Sequence, residues 1–264
     1  MQTTDPKVHC ISMINFEPKR PYQTLGLILR KELSGGLYPI GSRLPPERDI
    51  AERLSVSRAV VREAIIMLEL EGLVEVKKGS GVYIVNLPTT STVAQNEDVG
   101  PFEMLQARQL LESSIAEFAA TQATPADIEK MREALEIERR EIENNVQNPV
   151  GDRMFHQCIA EATQNSVLVD ILKESWERRE SSPMWKTLHT HIEIQDYRKE
   201  WLDDHAAILL AMRRKNPIEA KQAMWQHLEH VKIRLLELSD FTDPNFDGYL
   251  FNSIPAIATS KDNL

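Results

Sequence analysis

Asp152 and His156 are four residues apart, a spacing that puts a carboxylate and an imidazole on one face of a helix. Two more histidines fall inside apolar stripes. His205 lies in the row Trp201, His205, Ile208, Met212, and His227 lies with Ala220, Ala223 and Val231. A buried imidazole must be hydrogen-bonded or ligated, since an unpaired buried polar group costs roughly 1–3 kcal/mol. Three imidazoles and a carboxylate from three helices can close around a divalent cation such as zinc, or nickel, cobalt or manganese. Spacing alone leaves two outcomes open: a metal site, or core histidines each bonded to a neighbour. His189 and His191 are two apart and so face different sides of a helix, while His9 and His230 read as solvated.

Arginines supply the other chemistry. Arg108 and Glu112 are again four apart, either a helix-surface ion pair or an arginine turned inward to hold a ligand's carboxylate. Arg58 and Arg62 share one face at the start of a helix whose buried side carries Val61, Ala64, Ile65 and Leu68. A guanidinium fork at that place fits the O6 and N7 of a guanine in a DNA major groove. Arg62 has the alternative of pairing with nearby carboxylates or a phosphate. Arg48 reads equally as a DNA contact and as a bridge to acidic neighbours. Nucleophile-elbow, Walker, His-Glu-x-x-His and Cys-x-x-Cys patterns are all missing.

The elements that must position these groups divide the chain. Residues 1–18 read as a polar extension, with Met13 an alternative start, and 19–86 as a winged helix-turn-helix. Within it a first helix spans 21–32, a short one 47–54, and Ser55-Val56-Ser57 form the turn, Ser57 capping the recognition helix, which Gly72 ends. Two β-favouring runs, 73–76 and 82–85, flank Lys77-Lys78-Gly79-Ser80-Gly81 and predict a hairpin wing with a basic tip. Residues 87–100 are unpatterned and read as a linker. From 101 to 238 helical segments run at about 101–121, 125–146, 150–164, 166–180, 183–194, 197–215 and 217–238, so the second domain is an all-α bundle. The tail, 239–264, carries Phe241, Phe246, Tyr249 and Phe251, which could pack back on the bundle. The fold class is thus mainly α.

The 264 residues suffice for two cores, and the net charge of −9 is unevenly spread. Residues 16–86 hold 11 Lys+Arg against 9 Asp+Glu, a balance of +2, which leaves −11 for the rest. The acidic excess limits indiscriminate adhesion to DNA and leaves selectivity to the small domain. Cys10 and Cys158 show no paired spacing, and no apolar run approaches a membrane span or a signal-peptide core. A cytoplasmic protein with no membrane partner is the expectation.

The segment 22–85 resembles the winged-helix domain of the GntR superfamily of bacterial repressors. Leu44-Pro45-Pro46-Glu47-Arg48, Ser55-Val56-Ser57-Arg58, Val60-Val61-Arg62-Glu63-Ala64, Glu71-Gly72-Leu73-Val74 and the wing at 77–81 carry the likeness. The helical part resembles the metal-containing FCD branch of the FadR subfamily through Arg108 and Glu112, Asp152, Phe155 and His156, Thr163-Gln164-Asn165, and the late histidines. Within that branch, 100–112, 224–229 and 246–251 look like the hexuronate-utilisation repressors. The resemblance implies that Asp152, His156, His205 and His227 hold the metal and that Arg108 and Asn165 hold the effector. It places DNA contacts at Arg48, Arg58, Arg62, Lys78 and Gly79, with Ser57 and Ala59 in the same helical turn as Arg58. Ala59 and Val60 stand where some relatives have threonines, so the operator bases do not carry over. The implied protein is a homodimer on a palindromic operator, released by a sugar acid such as a hexuronate or an aldonate. Two rivals stand beside it: a metal-dependent enzyme acting on sugar acids, and a DNA-binding dimer whose metal is purely structural.

Overall fold

The first helix, α1 (Pro21–Ser34), starts on a proline whose missing N–H is no loss at that position. Its stripe Tyr22, Leu25, Leu29 and Leu33 is buried, while Ile28 stays exposed. The computed structural model describes residues 20–77, 80–88, 98–146, 149–190 and 198–239. The expected packing of the tail aromatics, and everything expected of His9, Cys10, Lys78, Gly79 and His191, falls outside the described residues.

Helix α2 (Glu47–Leu54) ends at Ser55, whose left-handed backbone (φ 53°) makes the tight turn. Ser57 Oγ then accepts the Val60 N–H (3.2 Å) and caps α3 (Arg58–Leu70), as its type and place predict. Strands β1 (Val74–Lys77) and β2 (Gly81–Ile84) pair antiparallel, Lys77 opposite Gly81. Leu44 N–H donates to Val82 O (2.8 Å) and Ile84 N–H to Ser42 O (3.0 Å), so the stretch before α2 extends the hairpin.

Among its described residues the second half forms only helices and turns: α4 (Pro101–Gln122), α5 (Pro125–Glu143), α6 (Gly151–Glu161), α7 (Ser166–Ser181), α8 (Pro183–Thr190), α9 (Arg198–Arg213) and α10 (Pro217–Ser239). Five of the ten helices among the described residues begin on proline, which is why their starts are readable in sequence. Helix α10 lies along α4 and α9, α5 packs on α6, and α8 packs on α3. Among the described residues no helix is long and apolar enough to cross a membrane.

The apolar cores do not follow the chain division. One is built from α4 to α7, α9 and the start of α10. The other joins the winged-helix residues to Phe102 and Leu105 of α4, Met184, Trp185 and Leu188 of α8, and Val231, Leu235 and Leu236 of α10. The recognition helix therefore lies between two sets of partners, and Ala59 and all of residues 61–68 are buried. Two polar clasps lock this arrangement. Glu63 Oε1 accepts the N–H groups of Phe102 (2.8 Å) and Glu103 (3.0 Å), capping α4 from the recognition helix. A Cβ at Gly100 would overlap the Glu63 carboxylate, so a larger residue there would displace the clasp. Asp98 Oδ2 accepts from Ser182 Oγ (2.7 Å) and Met184 N–H (3.1 Å) at the start of α8, and Asp98 O accepts from Tyr22 Oη (2.6 Å).

Candidate metal centre

Four of the sequence-predicted residues converge. Asp152 and His156 stand one turn apart on α6, His205 comes from α9 and His227 from α10, and one ligand atom from each lies within 4.8 Å of the others. His205 Nε2 is the hub, 3.3 Å from His156 Nε2 and 3.1 Å from His227 Nε2. Asp152 Oδ1 is 3.4 Å from His156 Nε2 and 3.8 Å from His205 Nε2. The three imidazoles are buried, and the Asp152 side chain, 34 % exposed, forms the open side.

Behind each ring stands a carboxylate. His156 Nδ1 meets Glu112 Oε2, His205 Nδ1 meets Glu138 Oε2 at 2.7 Å, and His227 Nδ1 faces Asp204 Oδ2 at 3.5 Å. For His156 and His205 those contacts fix the tautomer: a proton on Nδ1, bonded to the carboxylate, leaves Nε2 as a bare lone pair, whereas His227 Nδ1 makes no hydrogen bond. Ring nitrogens converging on one point in this way repel one another unless a proton or a cation sits among them. That donor set, three nitrogens and one oxygen, fits a divalent cation of the zinc type. Electrostatics agree. Burial alone would lower His156, yet Glu112 and Asp152 hold it up at about 9. Burial, reinforced by His205, pushes His227 down to about 3.

Arg108 combines parts of both alternatives: it is turned inward, and it keeps the i, i+4 ion pair with Glu112. It is buried, donates Nε–H to Glu112 Oε1 (2.5 Å) and lies 4.4 Å from the centre of the Trp176 ring. A second guanidinium, unforeseen from sequence, flanks the open side. Arg179 stacks 4.6 Å from both Trp176 and Trp185, with Nη1 3.8 Å from Asp152 Oδ2. Desolvation and the neighbouring Arg108 lower it to about 10.

Other predicted groups lie elsewhere. Asn165, expected to hold the effector, is exposed and caps α7, its Oδ1 accepting from Val167 N–H (3.0 Å) and Leu168 N–H (3.4 Å). Its side-chain oxygen is committed to that helix end. Arg62, expected at DNA, is buried with both forks of its guanidinium on Glu47, the carboxylate alternative prevailing. Ala59 is buried too. Arg58 is half-buried at the start of α3, and Arg48 is exposed beside Asp49 (3.6 Å). His230, expected to be solvated, is exposed yet bonds Asp204 (3.0 Å), and the His189 ring lies tilted against Trp185, 5.2 Å between centres.

Glu138, Asp204, Trp176 and Arg179 escape the sequence reading. A signal for Glu138 exists, since it occupies an inward place in the row Met131, Leu135, Glu138, Ile142 of α5. Arg179 follows Arg178 in a charged run that gives no such sign.

Comparison with known proteins sets this geometry in context. The family model "Bacterial regulatory proteins, gntR family" matches residues 21–84, and the FCD domain model matches residues 103–230. An Uxu operon transcriptional regulator of Escherichia coli K12 is 54 % identical over 244 residues, covering 90 % of this chain and 95 % of that one. An Uxu operon regulator of Haemophilus influenzae is 52 % identical, covering 90 % of each chain. An Exu regulon transcriptional regulator of E. coli K12 is 49 % identical, covering 91 % of this chain and 95 % of its own.

Proposed function

The chain belongs to the gntR family of bacterial regulatory proteins and carries an FCD domain, and from that premise we propose a homodimeric repressor of hexuronate or aldonate catabolic genes, freed from a palindromic operator when a sugar acid binds at the Asp152–His156–His205–His227 cluster. That it is a DNA-binding transcriptional regulator, not an enzyme, follows from relatives so similar over nine-tenths of the chain. The effector site rests on one observation: three buried imidazole nitrogens, two of them on rings fixed by a carboxylate behind, aim at one point beside a part-exposed aspartate. Asp152, His156, His205 and His227 would hold a divalent cation, zinc by the donor set, which would supply Lewis acidity toward a sugar acid's carboxylate. Arg108 adds a buried positive charge at the same wall. Release from DNA requires tighter effector binding to the off-DNA state, and couplings of about 1–3 kcal/mol are typical.

The test loads the full chain with zinc and titrates hexuronates and aldonates. Operator affinity, on DNA selected from a random pool, should fall about five-fold or more with at least one sugar acid, in line with such couplings. A zinc-loaded protein whose operator affinity no sugar acid alters would support the purely structural metal instead.

On the DNA side, Arg58 has the position to read a base. Arg58→Ala should cost roughly 1–3 kcal/mol of operator affinity. An unchanged anisotropy titration removes it from the interface. Dimerisation finds a candidate face on α4, where Leu110, Leu111 and Phe118 are 55 %, 43 % and 42 % exposed. Phe118→Glu should then sediment as a monomer at concentrations where the parent is a dimer, and a dimeric variant places the interface elsewhere.

A further inference from the structure

Arg179 is only loosely paired. Its guanidinium lies between two indole rings, Arg108 adds like charge nearby, and its ion pair with Asp152 Oδ2, at 3.8 Å, is too long for a hydrogen bond. Asp152 is shared, its Oδ1 turned to His156 and His205 while Oδ2 faces Arg179. The guanidinium side chain is 17 % exposed and stands at the same open side of the cluster as the part-exposed Asp152. A planar, pre-stacked guanidinium loses little freedom on gripping a carboxylate and favours the two-pronged geometry.

The ring on one side of Arg179 belongs to the interdomain core. Trp185 lies on α8, buried with Met184 and Leu188 in the cluster that includes Val61, Ile65 and Leu68 of the recognition helix. Helix α8 is further tied through Asp98 to Tyr22 of α1. A displacement of Arg179 therefore presses on a ring that touches the DNA-reading unit, with few intervening groups.

We propose that Arg179 is an effector-recognition residue that takes the free oxygen of a sugar-acid carboxylate held at the cluster and, through Trp185 and α8, passes that contact to the recognition helix. This rests on the sugar-acid reading above. It also accounts for a tryptophan on each side: Trp176 backs the effector wall, shared with Arg108, and Trp185 backs the domain interface.

The experiment measures, on the zinc-loaded full chain, metal content, D-glucuronate, D-galacturonate, D-gluconate and D-mannonate binding by calorimetry, and operator release by anisotropy. Arg179→Gln should keep its metal and its effector-free operator affinity but bind the active sugar acid on the order of 10- to 100-fold more weakly, the worth of a charge-assisted hydrogen bond. Arg179→Lys, which keeps the charge and loses the planar stack, should fall between, and serves alone should the glutamine variant lose zinc. Trp185→Phe should bind the sugar acid within about three-fold of the parent yet need a higher fractional saturation to leave the operator, a split no merely structural role produces. Parent-like sugar-acid affinity in both Arg179 variants overturns the recognition role, and a Trp185→Phe protein released at parent saturation overturns the relay. If the parent itself binds none of these acids, the sugar-acid reading fails and the role of Arg179 falls with it, a result distinct from either variant behaving as the parent does.

Discussion

Replacing His205 with alanine removes stoichiometric zinc, from about one ion per chain to near none after dialysis, by far the largest effect expected of any single change at the cluster. His205 is the hub: its Nε2 is the only atom of the set within 3.3 Å of both other imidazoles. Without it, two histidines and an aspartate on the open side remain, too few to exclude water from the ion. The same substitution strips Glu138 of its partner, and a buried carboxylate left unpaired destabilises the fold by roughly 3–5 kcal/mol. Metal loss and destabilisation can be separated, because Glu138→Ala in the His205→Ala background removes the orphaned charge. The double variant should regain most of the thermal stability and none of the zinc. Elemental analysis of the purified proteins decides the matter, and full zinc occupancy in His205→Ala would strike His205 from the ligand set. Effector-free operator binding should persist, since the four cluster residues come from α6, α9 and α10, none of them part of the winged helix-turn-helix.

How much of this was open to inspection in the sequence depended on whether the cause was local. Helix starts were legible because proline and a capping side chain act within one turn, as at Pro101, Pro125 and Ser57. Asp152 and His156 were legible as a pair because both lie on one helix, and His205 and His227 because each interrupts an apolar stripe. Their convergence was not, since nothing in the spacing says which faces of α6, α9 and α10 meet; the resemblance supplied it. Arg62 shows the limit from the other side. Its place on the helix fits DNA, but Glu47, fifteen residues earlier, sits where the guanidinium can be neutralised inside the protein. Asn165 was assigned by likeness, while its surroundings here give it a local capping task that uses its side-chain oxygen. Glu63 was read merely as part of a motif, because its partners are backbone N–H groups about forty residues away.

That carboxylate should make the domain interface sensitive to pH near neutrality. Burial pushes Glu63 up from 4.5 to about 7, against the lowering effect of the Glu103 and Phe102 N–H bonds, with the Glu103 carboxylate raising it and Arg20 lowering it. A raised pKa means that the closed arrangement prefers the protonated acid. Its contribution is complete below the ordinary value near 4.5 and is lost as pH rises through 7. The shift corresponds to about 3 kcal/mol between pH 5 and pH 8, an order-of-magnitude figure. Glu63→Gln keeps an acceptor for the two N–H groups and carries no charge at any pH. The substitution should therefore leave the melting temperature near the parent's at pH 5 and raise it relative to the parent at pH 8. Comparing the two proteins at each pH cancels the titration of the histidines, which both share. A constant difference across that range would show that Glu63 is ionised throughout, held by the α4 N-terminus.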